Sequence, residues 1–104
     1  MSTIETICEA LATRSLLQIC YDDHYRIVEP NAYGADPRGN QVLLAYQTEG
    51  GGGHDSRAGW RVLDIRAMKR VSVLTEHFLG PRPRTGRDET RIERGFKTAI
   101  AAIA

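Results

Sequence analysis

The stretch Tyr21-Asp-Asp-His-Tyr-Arg-Ile-Val-Glu-Pro30, followed at Gln41 by Gln-Val-Leu-Leu-Ala-Tyr46, decides the fold of this 104-residue chain. A run of apolar and β-favouring residues ends at Tyr21 and resumes at Arg26-Ile27-Val28. That interruption is a hairpin signal. With the turn at Asp23-His24, Tyr21 pairs with Arg26 and both side chains share a face; a one-residue slip would reverse this. Pro30 has no N–H to give a ladder and is expected to stop the pairing. An arginine between tyrosines on neighbouring strands is unusual in a small core, and it directs attention to what it holds.

Working back from the hairpin, Leu16 to Tyr21 reads as the first strand, apolar on both faces. Before it, Ser2 and Glu5 have the spacing of a capping box. Ile4, Ile7, Cys8 and Leu11 then recur at helical spacing, so residues 3 to 13 are expected to form an amphipathic helix packed on the sheet.

Working forward, Ala32 to Asn40 contains Gly34, Pro37 and Gly39 and reads as a turn-rich loop. Gln41 to Gln47 is the third strand, with Val42, Leu44 and Tyr46 on one face. Gly50 to Gly53 costs much backbone entropy to order, so residues 50 to 56 are expected to be a mobile hairpin tip. The run lacks the Gly-Lys-Ser/Thr ending of a phosphate-binding loop. Trp60 to Ile65 and Met68 to Leu74 are the fourth and fifth strands, joined by a sharp bend at Arg66-Ala67. Gly80 to Gly86 reads as an arm with two prolines and two arginines. Asp88 can cap a terminal helix in which Ile92, Phe96, Ile100 and Ile103 recur, although Gly95 weakens it by about 1 kcal/mol.

The fold class expected is mainly β (α+β). It has an N-terminal helix (residues 1–14), five short strands in a strongly bent sheet or open barrel (15–78), and a basic arm with a short terminal helix (79–104). The whole chain, 1–104, is read as one domain. At this length it buries a smaller share of its surface than a large domain, which leaves homodimerisation open.

Hydrophobic residues make up 41% of the chain, which excludes bulk disorder. No stretch approaches the roughly 20 apolar residues of a membrane span, and Met-Ser-Thr-Ile-Glu has no basic region followed by an apolar core. A cytoplasmic protein with no membrane partner is expected. Cys8 and Cys20 have no metal-ligand spacing and are read as reduced core residues. Residues 1–56 carry three basic and eight acidic side chains, a net −5; residues 57–104 carry eleven and five, a net +6. Such a split fits an anion-facing surface on one side, self-association in alternation, or a fold that mixes the halves.

Little in the chain suggests catalysis. Ser15, Ser56 and Ser72 have no nucleophile motif around them, and His24, His54 and His77 show no ligand spacing. No enzyme activity, catalytic residue, metal or cofactor is expected. What remains is recognition. Arg26 and Arg61 fall on strands, where a guanidinium fork needs a partner or a groove, and the fork suits phosphate or carboxylate. Tyr21, Tyr46 and Trp60 offer flat faces for a base or ring. These five residues are the candidate ligand site. The plainer alternative is that the arginines pair on the rim with Asp22, Glu29 or Asp64 while the aromatics fill the core. Arg26 and Arg61 are expected to share one side of the sheet and to tolerate alanine without loss of the fold.

Tyr21, Arg26 and Pro30, then a strand ending in Leu43, Ala45 and Tyr46, then Trp60, Arg61, Leu63 and Met68, together resemble the WYL domain family over roughly residues 4 to 78. Gln41-Val42-Leu43 stands where that family has its Trp-Tyr-Leu. The resemblance implies an Sm-like, SH3-type five-stranded β-barrel. It also implies a sensory module of bacterial regulators or phage-defence proteins that binds negatively charged ligands through a basic and aromatic groove. Such domains usually accompany a helix-turn-helix. Only about a dozen residues precede the first strand here, so the expectation is a stand-alone sensor or adaptor. The expected partner is a nucleotide or single-stranded nucleic acid, with a regulatory protein partner as a further expectation. The alternative is a protein-interaction or assembly domain with no small ligand.

Overall fold

In the computed structural model, which describes residues 2–52 and 56–103, the chain begins with helix α1, Thr3–Thr13. Its capping box forms as the sequence implies. The Ser2 hydroxyl accepts from the Glu5 N–H, and the Glu5 carboxylate accepts from the Ser2 N–H. The second bond also holds the Glu5 carboxyl below its ordinary range. Arg14 enters the left-handed region and ends the helix.

Strands β1 (Ser15–Tyr21), β2 (His24–Ala35), β3 (Gln41–Gly50), β4 (Gly59–Asp64), β5 (Lys69–His77) and β6 (Thr98–Ala102) follow, with helix α2 (Gly86–Gly95) between the last two. All pairings are antiparallel, in the order β4-β3-β2-β1-β5, and β6 adds to the far end of β2. The fold is mainly β with two helices. The described residues form six strands rather than the five expected, and the sheet is open, as a bent sheet rather than the barrel that the resemblance implies. A single 3-10 turn at Ile65–Ala67 carries the chain between the end strands β4 and β5.

The first hairpin turns at Asp22-Asp23, not Asp23-His24. Both aspartates have positive φ, 52° and 62°, the conformation that a two-residue hairpin with the favoured twist demands and that aspartate tolerates. Tyr21 therefore pairs with His24, and Arg26 pairs with Ile19. Both turns have two residues, so the change moves partners by two positions. Tyr21 and Arg26 keep a common face as diagonal neighbours.

Pro30 does not stop β2. It lies at a bulge between the Pro30 and Ala32 pairings with β3. On the other side of β2, the β1 partners end at Val28 and the β6 partners begin at Ala32. Proline's missing donor is tolerated at a bulge. The loop expected over residues 32–40 shrinks accordingly, because Ala32–Ala35 are strand.

The start of the glycine run is tied to the sheet. Gly50 lies in β3 with φ 88°, and a Cβ there would meet the Tyr25 carbonyl oxygen at 2.1 Å. Gly51 donates to that same oxygen at 2.9 Å. Within the expected tip, residues 53–55 lie outside the described residues.

The C-terminal helix is shorter than its apolar spacing implies. Thr85, not Asp88, is its N-cap, and Asp88 closes the capping box from the third position. After Gly95 the chain becomes β6, paired with β2. Gly34 makes this possible: a Cβ there would lie 1.9 Å from the Thr98 carbonyl oxygen.

The alternation of β-strand side chains divides the core in two. On the inner face Ile7, Ala10 and Leu11 of α1 pack against Leu17, Ile19, Val28, Leu43, Ala45 and Leu63. On the outer face Ala32, Leu44 and Trp60 pack against Ile92 of α2, with Tyr46, Val62 and Phe96 alongside. Cys8 and Cys20 are free thiols. No helix among the described residues is long and apolar enough to cross a membrane.

Candidate functional site

The strand registers place Arg26 and Arg61 on the same face. Val28 is opposite Gln47, Ala45 is opposite Arg61, and residues two apart on a strand share a side. Tyr21 and Arg26 follow from Ile19 in the same way. Tyr21, Arg26, Gln47 and Arg61 therefore form a polar end to the inner face.

Arg26 is 2% exposed, contrary to the expectation of a surface arginine. It donates to the Gln47 side-chain oxygen at 3.1 Å, and its guanidinium lies 5.1 Å from the Tyr21 ring centroid. Asp22 stands 3.9 Å away at the exposed turn. Gln47 is buried and passes the network on by donating to the Gly50 carbonyl. The Tyr21 hydroxyl accepts from the Asp64 N–H at 3.1 Å, which ties β1 to the end of β4. Arg61 donates to the carbonyls of Trp60 and Arg57 at 2.9 and 2.6 Å.

These side chains open into a groove of about 830 Å³, within the size range of small-molecule sites. Arg57, and Arg91 and Arg94 from α2, line it with Arg26 and Arg61. Three aspartates also line it, and each is engaged locally. Hydrogen bonds from the Arg66 side chain hold the Asp64 carboxyl below its ordinary range. The Thr85 backbone N–H does the same for Asp88 at the start of α2. Burial pushes Asp36 upward, but hydrogen bonds from Asn40 and Arg38 outweigh it and hold that carboxyl low. The groove thus has five guanidiniums against three carboxylates that already serve turns and caps. It can take an anion, with planar forks for its oxygens and the Tyr21 ring beside them.

Of the two remaining candidates, Trp60 also lines this groove and Tyr46 does not. The side chains of Tyr46 and Trp60 belong to the outer face, edge to face at 5.7 Å. Arg82 lies over the Tyr46 ring at 4.6 Å and Arg84 over the Trp60 ring at 4.5 Å. The Trp60 indole N–H donates to the Pro83 carbonyl at 3.0 Å. Glu29 accepts a two-pronged bond from Arg82 at 3.0 and 2.8 Å rather than pairing with Arg26. The acidic first half and basic second half are joined here. Period-two alternation already implied that Trp60 and Arg61 face opposite ways. Arg57, Arg91 and Arg94 carried no local signal, because only the placement of α2 beside β4 brings them in.

No family model matches the chain, and no curated protein matches it. Among solved structures, proteasome accessory factor B/C (PafBC) of Arthrobacter aurescens superposes with a TM-score of 0.64 at 22% identity, over 86% of this chain. The two share a fold. The likeness covers 14% of PafBC, so this chain corresponds to a small part of it.

Proposed function

We propose that the chain is a WYL-like, non-catalytic regulatory module that binds an anionic ligand, a nucleotide or single-stranded nucleic acid, in the groove between β4, α2 and the Tyr21–Arg26 corner. The observation that carries this reading is the convergence of Arg26 and Arg61 on one face, at a groove that Arg57, Arg91 and Arg94 also line. The sequence resemblance and the fold shared with PafBC support it. In this reading Arg26 is a buried positive floor that orients Tyr21, while Arg61 and the α2 arginines meet the ligand. Trp60 lines the groove beside Arg61 while its ring packs on the outer face, and Tyr46 stands outside the groove.

Arg61→Ala tests it cleanly, because Arg61 is less buried than Arg26. Fluorescence anisotropy with a labelled single-stranded oligonucleotide, and competition by a nucleotide, should show binding weakened by about 1–3 kcal/mol, the scale of a charge-assisted contact. Wild-type affinity should also fall steeply as salt rises. Equal binding by the variant, or no response to salt, would favour the assembly-domain alternative. The exposed Ile100 on β6 gives that alternative a surface to act through.

A further inference from the structure

Residues 81–84, Pro-Arg-Pro-Arg, lie against the outer face in an asymmetric way. The receiving residues are buried: Glu29 is 5% exposed and Trp60 2%. The four arm residues are all exposed. Among the described residues, the backbone of 81–84 makes no backbone–backbone hydrogen bond. The arm is held by the Arg82 fork on Glu29, by two guanidiniums over two rings, by the indole N–H on the Pro83 carbonyl, and by an ion pair of Arg84 with Glu89 of α2 at 3.8 Å. A segment attached this way can leave without breaking a ladder. When it leaves, it uncovers a carboxylate and two ring faces on β2, β3 and β4, which a guanidinium-bearing segment can cover again.

The chemistry of that surface is specific. A carboxylate, two ring faces and an indole donor read two arginines alternating with prolines and one outward carbonyl. Proline-rich segments are recognised in this manner, since their extended form is preformed and leaves its carbonyls unused. We propose that Glu29, Tyr46 and Trp60 form a second binding site, for an extended Arg-Pro-Arg segment of a partner protein, and that residues 81–84 occupy it in cis when the partner is absent. The negative charge of Glu29 and the sequence of the cis occupant together define the partner's chemistry. Tethering gives the arm a local concentration on the order of millimolar, so the partner is seen most clearly once the arm is weakened.

Trp60 is the chain's single tryptophan, so its fluorescence reads this site directly. The test uses the full chain carrying Arg82→Ala and Arg84→Ala, titrated with a synthetic peptide Gly-Pro-Arg-Pro-Arg-Thr. A saturable change in Trp60 emission is expected. Adding Glu29→Gln should weaken it about tenfold or more, as should replacing both peptide arginines by lysine. No saturable change in the folded variant, or equal binding with Glu29→Gln, would overturn the proposal. If the double alanine variant does not fold, Arg82→Lys with Arg84→Lys takes its place, since it keeps charge but loses fork and stacking. Failure of both to fold would show the arm to be integral to the domain and would also overturn the proposal. A concentration-dependent wild-type dimer that these arm variants abolish would give the site to the arm of a second copy and overturn the partner assignment.

Discussion

Arg26→Ala should lower the thermal midpoint by about 10–25 °C, equivalent to about 2–4 kcal/mol at the roughly 4–8 °C per kcal/mol of a domain this size. The magnitude comes from what the side chain touches. Its loss removes the donor at 3.1 Å from the buried Gln47 oxygen, and a hydrogen bond to a charged group contributes about 1.5–3 kcal/mol. It also removes the cation from the Tyr21 ring, a contact of about 0.5–2 kcal/mol, together with the packing of the buried stem. The ion pair adds little, because Asp22 is exposed and 3.9 Å away. Arg26→Met keeps much of the stem and should recover part of the loss. Differential scanning calorimetry decides the matter, and a midpoint within about 2 °C of wild type would contradict the assigned network. One consequence bears on function: lost ligand binding in Arg26→Ala cannot be separated from a loosened corner, which is why Arg61 is the better probe.

Trp60→Ala should cost about 3–5 kcal/mol, the range for emptying a buried aromatic site. The indole joins Leu44 and Ala32 of the sheet to Ile92 of α2, meets the Tyr46 ring on edge, and holds the arm through Pro83 and Arg84. Total stability of such domains is only about 5–15 kcal/mol, so the variant should approach its unfolding threshold. Urea unfolding should show a much lower midpoint, and trypsin should cut faster at Arg84 and Arg87. Trp60→Phe retains a ring but not the N–H, and should lose far less. An unchanged midpoint in Trp60→Ala would mean that the outer cluster does not stabilise the sheet.

The parts of this fold legible in the sequence were those fixed by neighbours in the chain. Ser2, Glu5 and the Ile7–Leu11 stripe specify α1 almost alone, and the runs around Ile19 and Leu43 specify two strands. The parts missed depend on distant residues. Pro30 is acceptable inside β2 because of a bulge there and because the flanking strands change beside it. The stretch after Gly95 has helical apolar spacing, yet it pairs with β2, where Gly34 leaves room for the Thr98 carbonyl. Asp22 rather than Asp23 opens the first turn because both aspartates accept positive φ. At the candidate site, the shared face of Tyr21, Arg26 and Arg61 followed from strand periodicity. Trp60 and Arg61 point to opposite faces by that same periodicity, yet both line the groove, which runs along the edge strand β4. The buried Gln47 and the α2 arginines depend on register and helix docking, which no local pattern carries.

The central claim concerns which groove receives the anion, and amide chemical-shift mapping on the labelled chain tests it most directly. Titration with a short single-stranded oligonucleotide should shift the amides of Tyr21, Arg26, Gly59 to Leu63, and Arg91 to Gly95 together, along one saturation curve, with Arg61→Ala displacing that curve to higher concentration. Shifts confined to the outer face around Tyr46 and Ala32, or scattered along the free strand edges with no saturation, would contradict the account.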